Sequence, residues 1–453
     1  MASYDGKQVV VVGAGRTGLA LTAFFQRRGA RVVLSDSRSA ADRPELSALA
    51  EQGVTLDCGG HSPELFAAAD LIAISPGVAL TVPAIAAALA QGVPVLGEIE
   101  VACRELEAPL VAITGTNGKS TTTCLMGEVF KAWGKRTFVG GNLGTPLIEA
   151  VEQGWDWLLA EISSFQLEAI ETFCPCYGLL LNISPDHLDR YPDMAAYLAA
   201  KQRLFANMAG DDVAVLNADD EQVLALAQQA DCRKVLFSTS RVLEQGMSLE
   251  GEELVWRWDG RESRFATGQL QLCGSHNLEN VMAALIPPLL EGCPEEIAWQ
   301  AVCAFGGLDH RMVRVRELDG VVWYNDSKGT NVGSVVKSLA GLAAPVTLIA
   351  GGRDKGGDYR PLAEAAAGKV IQLILIGEAA DRMEQALGST VAVRRASTLE
   401  QAVSLAYQLT PAGGAVLLSP GCSSFDMFAS YAERGEAFVR AVNQLPEKGR
   451  VAP

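Results

Sequence analysis

The segment PLVAITGTNGKSTTT, residues 109–123, decides the fold of the chain around it. Its apolar run predicts a β-strand, the glycine-rich turn predicts a phosphate-binding loop, and the continuation predicts a helix. In such a loop, Lys119 reaches the β- and γ-phosphates and the Ser120 hydroxyl binds Mg²⁺. Ile113 stands where a standard Walker A motif has its first glycine, so a purely structural turn is the alternative. The candidate loop consists of Gly115, Thr116, Asn117, Gly118, Lys119, Ser120 and Thr121.

The same order of strand, turn and helix recurs on both sides of this segment. Apolar runs such as QVVVVG, RVVLSD, LIAISPG and VPVLG are typical of parallel strands that helices cover on both faces. Between Lys234 and Cys273, the runs VLFSTS, LVWRW, SRFAT and QLQLCG predict short antiparallel strands, and a helix is expected from about Tyr431 to Leu445. We therefore expect an α/β protein with three domains: a Rossmann-like N-terminal domain at 1–97, a central P-loop-type ATPase domain with a small antiparallel β portion at 98–307, and a doubly wound, Rossmann-like C-terminal domain at 308–453.

The composition argues against several classes of protein. The 453 residues include 37 Lys and Arg against 53 Asp and Glu, a net charge of −16, which disfavours a nucleic-acid-binding surface. Residues 71–97 carry no charge, but three prolines interrupt them, so they predict strand, turn, helix and strand rather than a membrane span. The ten scattered cysteines predict reduced thiols. Because the N-terminal segment also lacks signal-peptide features, we expect a cytoplasmic protein without membrane or nucleic-acid partners. We also expect a monomer, although nothing in the composition determines the oligomeric state.

A second candidate nucleotide site follows the first predicted strand. Gly13, Gly15 and Gly18 form a G-x-G-x-x-G pattern, in which backbone amides at a helix start approach a diphosphate. Asp36 ends the next strand, where a carboxylate can hold a ribose hydroxyl. This pattern alone suggests NAD, another nucleotide diphosphate, or a turn without ligand. A dehydrogenase has no use for the loop around Lys119, so two nucleotide sites favour phosphoryl transfer or ATP-driven ligation.

Polar residues stand at further predicted strand ends and turns. Glu161 in AEISSFQLE, with Asp186 and His187 in NISPDHLDRYP, could bind metal, although a histidine in a polar loop is often a surface hydrogen-bonding residue. Asn277 suits an adenine edge and Arg311 suits phosphate, or they are helix-cap and linker residues. A closing domain could present further turn residues to the central site, namely Asp326, Lys328, Asn331, Gly351, Gly352 and Lys355.

Seven segments in order, TGTNGKST, AEISSFQLE, NISPDHLDRYP, GSHNLEN, GLDHR, NDSKGTN and SPGCSSFD, resemble the Mur ligases of bacterial peptidoglycan synthesis. The forms SSFQLE and DHLDRYP resemble the D-glutamate-adding branch of that family. The resemblance implies an ATP-dependent ligase that adds D-glutamate to UDP-N-acetylmuramoyl-L-alanine through an acyl phosphate. It also implies ATP, two Mg²⁺ ions and a carbamylated lysine as cofactors.

The resemblance further implies a role for each matching residue. Residues at the UDP part of the substrate would be Gly15, Arg16, Thr17, Asp36, Arg38, Ser75, Pro76 and Gly77, with Asn142 and His187 near its muramoyl-alanine end. Lys119, Ser120 and Glu161 match ATP and magnesium positions, and Asn277, Arg311 and Asp326 match further ATP contacts. Positions around D-glutamate would be Thr330, Lys355, Ser424, Phe425 and Tyr431, where the family has a phenylalanine in place of Tyr431.

Lys201 in AAKQRLF matches the lysine that the family carbamylates. From the residues alone, its Ala-rich helical segment predicts a solvated surface lysine. With the resemblance, the implied metal-binding residues are Ser120, Glu161, His187 and Lys201, and the implied catalytic residues are Lys119, Glu161, His187, Lys201 and Lys355.

Three rival functions remain at this point. A nicotinamide-dependent dehydrogenase would account for the G-x-G-x-x-G pattern alone. A folylpolyglutamate-type ligase shares TGTNGKS but has no reason for a UDP-binding N-terminal domain. A nucleotide sensor would bind ATP without releasing phosphate.

Overall fold

The computed structural model describes residues 3–43, 46–188, 190–272, 274–342 and 345–446. Contacts divide the chain into two compact units. The first unit comprises the described residues of Met1–Ile183, Tyr197–Gln269 and Glu279–Ala304, and the second comprises those of Ser184–Ala196, Leu270–Leu278 and Phe305–Pro453. Within the described ranges, no helix combines the length and apolar character needed to cross a bilayer. The nine described cysteines are free thiols, and Cys273 lies outside the described residues.

The N-terminal part of the first unit is a parallel sheet of order β3-β2-β1-β4-β5. Its strands are β1 (Gln8–Val12), β2 (Arg31–Asp36), β3 (Thr55–Cys58), β4 (Leu71–Ile74) and β5 (Val95–Gly97), and its helices are α1 (Arg16–Arg27), α2 (Ser47–Glu51), α3 (Pro63–Ala67) and α4 (Pro83–Ala90). Residues 71–97 form strand, helix and strand, as predicted. The carboxyl ends of β1 to β4 therefore meet at one edge of the sheet, where ligands bind in such folds.

The rest of the first unit is built on a larger sheet of order β14-β13-β12-β11-β10-β9-β6-β8-β7. The strands are β6 (Leu110–Thr114), β7 (Thr137–Gly141), β8 (Trp157–Glu161), β9 (Tyr177–Leu180), β10 (Ala209–Asn217), β11 (Asp231–Ser238), β12 (Gly246–Glu250), β13 (Glu253–Trp258) and β14 (Arg261–Ala266). The helices in this stretch of sequence are α5 (Glu98–Cys103), α6 (Lys119–Ala132), α7 (Ser164–Leu167), α8 (Met194–Gln202), α9 (Glu221–Leu226), α10 (Ser275–Leu290) and α11 (Glu295–Ala304). Strand β6 lies between β8 and β9, so the loop after it opens beside the ends of both neighbours.

The prediction of antiparallel strands between 234 and 273 was partly wrong. The run VLFSTS belongs to β11, which pairs in parallel with both β10 and β12. Among the described residues of this stretch, the antiparallel pairs are β12 with β13 and β13 with β14. Segment QLQLCG forms no strand in its described residues. The side chain of Gln269 instead accepts a hydrogen bond from Trp299 Nε1 at 2.9 Å, which ties the segment to α11. The alternation of apolar residues alone did not distinguish a parallel strand, an antiparallel strand and a segment that forms no strand.

The second unit contains a mixed sheet of order β15-β16-β20-β17-β18-β19, in which only the β15–β16 hairpin is antiparallel. Its strands are β15 (Val313–Leu318), β16 (Val321–Asn325), β17 (Val346–Gly351), β18 (Val370–Ile376), β19 (Val393–Arg395) and β20 (Ala415–Leu418). The helices are α12 (Val332–Ala340), α13 (Arg360–Ala366), α14 (Ala380–Leu387), α15 (Leu399–Leu409) and α16 (Tyr431–Asn443). The helix predicted from Tyr431 thus exists and ends two residues earlier than expected.

Helix α5 fixes the two sheets of the first unit against each other. The buried Glu98 carboxylate accepts the amide of Ile148 at 2.7 Å. The buried Glu100 carboxylate accepts the amides of Thr172 and Phe173 at 3.0 and 2.8 Å. Because buried carboxylates need such partners, the segment that links the two sheets is also fastened to the larger one. The site edges of both sheets are therefore held in one arrangement.

Candidate active site

The glycine-rich segment forms a tight loop between β6 and α6. Strand β6 is buried throughout, and Gly118 caps α6 in a left-handed conformation with φ of +88°. A Cβ at this position would overlap the side-chain oxygen of Asn280, so glycine is required for space as well as for backbone angle. Lys119 Nζ lies over the loop, 2.9 Å from the carbonyl oxygens of both Gly115 and Thr116. Helix start, loop amides and ammonium group together form a place for phosphate.

Glu161, at the end of β8, lies directly beside the loop. Ser120 Oγ donates to Glu161 Oε2 at 2.6 Å, and Asn142 Nδ2 donates to Glu161 Oε1 at 2.8 Å. Ser120 and Glu161 are buried, so the carboxylate and hydroxyl form a compact set of oxygen ligands. This chemistry fits Mg²⁺, which takes one or two protein oxygens together with phosphates and water. Among the described residues, no group of three or more His, Cys, Asp or Glu side chains could hold a metal ion alone.

Lys201 corrects the expectation of a solvated surface residue. Its side chain lies on α8 and is 1% exposed. Nζ donates to Gly115 O at 2.9 Å and to Thr114 Oγ1 at 3.3 Å, and it lies 4.9 Å from the ring centroid of Tyr197. The local sequence did not predict the burial of Lys201, because the composition of α8 does not indicate which of its faces packs against the end of β6.

Two asparagines that the sequence interpretation did not select hold the loop. Asn182 Oδ1 accepts the Asn117 amide at 2.9 Å, and Asn182 Nδ2 donates to Asn117 O at 3.0 Å. Asn280, buried on α10, accepts from Thr122 Oγ1 at 3.3 Å. Asn280 follows Asn277 by three residues and therefore lies close to it on the helix surface. This spacing from a predicted site residue could have identified Asn280 from the sequence.

The G-x-G-x-x-G segment lines a cavity of about 700 Å³ at the edge of the N-terminal sheet. Gly18 packs so tightly that a Cβ there would overlap the carbonyl oxygen of Gly13. The cavity brings together every residue predicted near the UDP substrate except His187: Gly15, Arg16, Thr17, Asp36, Arg38, Ser75, Pro76, Gly77 and Asn142. Asn142 thus lines this cavity and also donates a hydrogen bond to Glu161 beside the phosphate loop.

Asp36 is engaged by the protein itself. Its carboxylate accepts the Ala14 amide at 2.8 Å and both Nε and a terminal nitrogen of Arg38 at 3.1 Å. Burial opposes ionisation of this group, but the hydrogen bonds from Arg38 and Ala14 outweigh it and hold the pKa of Asp36 well below its usual range. The ionised carboxylate therefore orients Arg38 at the rim of the cavity.

A cavity of about 270 Å³ lies in the second unit and contains the predicted residues Thr330, Lys355 and His187. Asp186 organises it: its carboxylate accepts from Lys355 Nζ at 3.2 Å and from Asn331 Nδ2 at 3.0 Å. His187 is held with a positive φ of +57°, and its amide donates to Asp186 at 2.9 Å. The DH pair of NISPDHLDRYP thus belongs to the same cavity as Lys355.

Three other residues predicted around D-glutamate do not line this cavity. Ser424 is buried, whereas Phe425 is 63% exposed. Tyr431 begins α16, with its ring centroid 5.1 Å from Lys328 Nζ. Asn277, predicted at ATP, lies in the first turn of α10. The structure therefore brings together only part of the predicted glutamate set.

Arg434 on α16 is a buried residue that the sequence interpretation missed. Its guanidinium donates to Ser327 Oγ at 3.0 Å, to Ser327 O at 2.8 Å and to Cys422 O at 3.2 Å. Burial lowers its pKa to about 10. One side chain thus joins the loop that follows β16 to the loop that follows β20, and both loops carry predicted site residues. A charged residue on the buried face of an amphipathic helix was the available signal.

Asp326 lies at the end of β16 and is buried. Its Oδ2 accepts from Ser338 Oγ and Ser419 Oγ, both at 2.7 Å. The nearby Arg311 has a buried Nε that finds no hydrogen-bond partner among the described residues. A guanidinium nitrogen left over in this way suits an anionic or carbonyl oxygen of a ligand.

The carboxyl group of Asp326 should give the second unit a pH-dependent stability. Burial raises its pKa to about 6, against hydrogen bonds from Ser419 and Ser338 and the charge of Arg311. An aspartate in the unfolded chain ionises near pH 3.9, so between about pH 4 and 6 the folded state binds more protons than the unfolded state does. The free energy of unfolding should therefore fall by about 3 kcal/mol as pH rises through that window.

Urea unfolding of the wild type and of Asp326→Asn at about pH 4 and about pH 7.5 tests this. The variant has no carboxyl group to ionise at this position. Its free energy of unfolding, relative to that of the wild type, should therefore be higher at about pH 7.5 than at about pH 4. An equal pH dependence of both proteins would contradict a raised pKa for Asp326.

Three family models match along the chain: a Mur ligase MurD-like N-terminal domain at residues 7–97, a Mur ligase middle domain at 113–287 and a Mur ligase glutamate ligase domain at 310–422. The chain belongs to the Mur ligase family. The fold is accordingly the α/β fold of that family, as the sequence predicted.

Among its relatives is the UDP-N-acetylmuramoylalanine–D-glutamate ligase of Syntrophotalea carbinolica, 66% identical over 450 residues, which cover 99% of this chain and 100% of that protein. The ligase of the same name from Geotalea uraniireducens is 51% identical over 444 residues, 97% of this chain and 98% of that protein. Among solved structures, MurF ligase of Thermotoga maritima in complex with ADP has a TM-score of 0.60 at 15% identity and covers 97% of this chain and 95% of its own. The likeness to MurF concerns the fold alone.

Proposed function

We propose that the chain joins D-glutamate to UDP-N-acetylmuramoyl-L-alanine with ATP, as the names of its relatives describe for those proteins. One observation carries the proposal. Asn142 lines the nucleotide cavity of the N-terminal sheet, and its amide is bonded to Glu161, which is bonded to Ser120 of the phosphate loop. A UDP-linked substrate that fills the cavity as far as Asn142 therefore ends beside the phosphate loop, where its carboxylate can meet the γ-phosphate of ATP.

The three predicted domains would divide the work. Residues 1–97 would hold the UDP part, 98–307 would bind ATP, and 308–453 would bind the amino acid. Asn277, Arg311 and Asp326 would contact ATP, and the orphan Nε of Arg311 supports this for one of them. Thr330, Lys355, Ser424, Phe425 and Tyr431 would surround D-glutamate.

The reaction proceeds in two balanced steps. The alanyl carboxylate attacks the γ-phosphorus of ATP, the bond to the β-phosphate oxygen breaks, and an acyl phosphate and ADP form. The D-glutamate amine then attacks the acyl carbon, phosphate leaves with both electrons of the broken bond, and the amine loses a proton. Lys119 and the loop amides stabilise the charge on the transferring phosphoryl group.

Lys355 has a separate task in the second unit. Its pairing with Asp186 keeps the ammonium group aimed into the cavity, 3.2 Å from a carboxylate oxygen. A glutamate carboxylate would be recognised there by the same ammonium and by the Thr330 hydroxyl. Asp186 would thus hold Lys355 in position while no substrate is bound.

Two cofactors complete the proposal. Ser120 and Glu161, together with His187 and a carbamate on Lys201, would hold two Mg²⁺ ions. When bound, Mg²⁺ supplies positive charge that neutralises the phosphate oxygens. Glu161 orients the Ser120 hydroxyl, and Asn142 orients Glu161, so the ligand atoms are positioned by this chain.

We further propose that the protein acts as a monomer in the cytoplasm, where nucleotide-linked precursors and ATP are available. Membership in the Mur ligases removes the support for a nicotinamide-dependent dehydrogenase. The N-terminal cavity next to Asn142 favours a UDP-linked substrate over a folate, because a folylpolyglutamate-type ligase has no use for it.

The test is phosphate release from ATP with UDP-N-acetylmuramoyl-L-alanine and Mg²⁺. Phosphate should appear with D-glutamate and stay at background with L-glutamate or meso-diaminopimelate. Release that prefers another amino acid would replace the proposed substrate, and binding of ATP without any release would favour a nucleotide sensor.

A further inference from the structure

Three neighbouring loops of the second unit contribute to the cavity that contains Lys355. Strand β20 lies between β16 and β17 and is parallel to both, so the loops after these three strands leave the same edge of the sheet. The cavity is lined by Thr330 from the β16 loop, by Lys355 from the β17 loop and by Gly421 from the β20 loop. Its width therefore depends on how the three loops are spaced.

Backbone hydrogen bonds join the β20 loop to the loops on both sides of it. The Gly421 amide donates to Gly329 O at 2.8 Å in the β16 loop. On the other side, Arg353 N donates to Ser423 O at 3.0 Å, and Ser423 N donates to Arg353 O at 3.2 Å. Both flanking loops are thus bonded to the middle one within two residues of their cavity side chains.

The buried side chain of Arg434 contacts the same three loops. Nη2 donates to Ser327 O at 2.8 Å in the β16 loop, and Nη1 donates to Cys422 O and Ser423 O, both at 3.3 Å, in the β20 loop. A Cβ at Gly352 in the β17 loop would lie only 3.1 Å from Nη1, so the guanidinium also packs against that loop. One side chain therefore reaches every loop that forms this part of the cavity.

The surroundings of Arg434 are unfavourable for a cation. The side chain is 1% exposed, and its hydrogen-bond partners within the described part of the chain are neutral carbonyl and hydroxyl oxygens. Removing a guanidinium from water without a carboxylate partner costs stability, and burial lowers the pKa of Arg434 to about 10. This cost favours a role in arranging the loops over a role in stability alone.

An amino acid with two carboxylates fits a site only when the groups that bind it stand at a fixed separation. In the proposed function, Thr330 and Lys355 act on D-glutamate from two of the loops that Arg434 joins. We propose that Arg434 is a positioning residue that sets the spacing of these loops and so fits the cavity to the length of glutamate, without touching the substrate. This inference rests on the proposed function.

The first measurement is phosphate release by Arg434→Lys. The ammonium group keeps the charge but cannot bond two loops with the planar fork of a guanidinium. KM for D-glutamate should rise about tenfold, whereas kcat and the KM values for ATP and the UDP-linked substrate should change less than about twofold. ATP should be little affected because Asp326, which precedes Ser327, is held separately by Ser338 and Ser419.

The second measurement compares D-glutamate with D-2-aminoadipate, which is longer by one methylene. One methylene in a fitted pocket changes kcat/KM by about tenfold or more, and the wild type should prefer D-glutamate by such a factor. In Arg434→Lys the preference should fall below about threefold, because the loops can settle at another spacing. A loss of stability alone would reduce the active fraction for both amino acids equally and leave the ratio unchanged.

Arg440→Lys is the matched control for the substitution. Arg440 lies on the same helix, is 63% exposed and pairs with Glu436 at 3.8 Å, so this variant should keep the wild-type constants. If urea titration shows that Arg434→Lys does not fold, Ser327→Ala takes its place. It removes the 3.0 Å bond from Nε of Arg434 to Ser327 Oγ and should raise KM for D-glutamate about threefold.

Two outcomes would contradict the inference in distinguishable ways. A folded Arg434→Lys, or Ser327→Ala in its place, that keeps both the wild-type KM for D-glutamate and the preference for its length would show that Arg434 is only structural. Phosphate release by the wild type with another amino acid but not with D-glutamate would overturn the proposed substrate and this inference together.

Discussion

Lys119→Ala should reduce ATP-dependent phosphate release by about 10³-fold or more. The ammonium group lies above the loop, bonded to Gly115 O and Thr116 O at 2.9 Å, where it would face the transferred phosphate. Stability should change by less than about 1 kcal/mol, because the lost bonds reach loop carbonyls that a water molecule can satisfy.

Lys131→Ala provides the matched control for this prediction. Lys131 lies on the same helix and is 76% exposed, and within the described part of the chain its ammonium group makes a single ion pair, at 3.8 Å with Glu128. Its variant should keep wild-type phosphate release and the same urea midpoint. If Lys119→Ala turns over at a rate near the wild type, the phosphate loop is misassigned; if it unfolds, Lys119 is structural.

The sequence predicted the parts of the fold that depend on local order. A buried strand, a glycine turn and a helix start stand together in residues 109–123, so the loop could be placed before any tertiary contact was known. Glu161 could be placed near it because parallel strands end at one edge of a sheet. The pairing of β11 could not be predicted, because an alternating run fits a parallel neighbour as well as an antiparallel one.

The residues missed in the site act through tertiary contacts. Asn280 bonds Thr122, the residue that follows the loop, across 158 positions of sequence, and Arg434 joins two loops that lie 12 and 107 positions away from it. The periodicity of each helix indicates which face is buried, but it does not identify the distant residue that the buried side chain contacts. Their burial shows that the site is supported by polar groups that are costly to leave unpaired, which explains why removing such residues tends to affect folding as well as activity.

Lys201→Ala should lower phosphate release by about 10²-fold or more, and short-chain carboxylates such as formate should restore part of it. The side chain is 1% exposed and ends under the loop, 2.9 Å from Gly115 O. Its neutral amine can attack carbon dioxide and lose a proton, which changes a buried cation into an anion able to bind metal. A small carboxylate can enter the space left by alanine and supply that negative charge.

Lys201→Arg tests whether the reaction requires a carbamate at this position or only a positive charge. Arginine keeps the positive charge and has a somewhat larger side chain but does not form the carbamate, so it should be as inactive as alanine and should not respond to formate. Lys234→Ala removes an exposed hydrogen bond to Gln228 O, the one that the Lys234 side chain makes among the described residues, and should be fully active with or without formate. Nuclear magnetic resonance with ¹³C-bicarbonate should show a carbamate carbon in the wild type and in Lys234→Ala but in neither Lys201 variant. Full activity of Lys201→Arg would reject the carbamate, because a buried cation under the loop would then be all that the reaction requires.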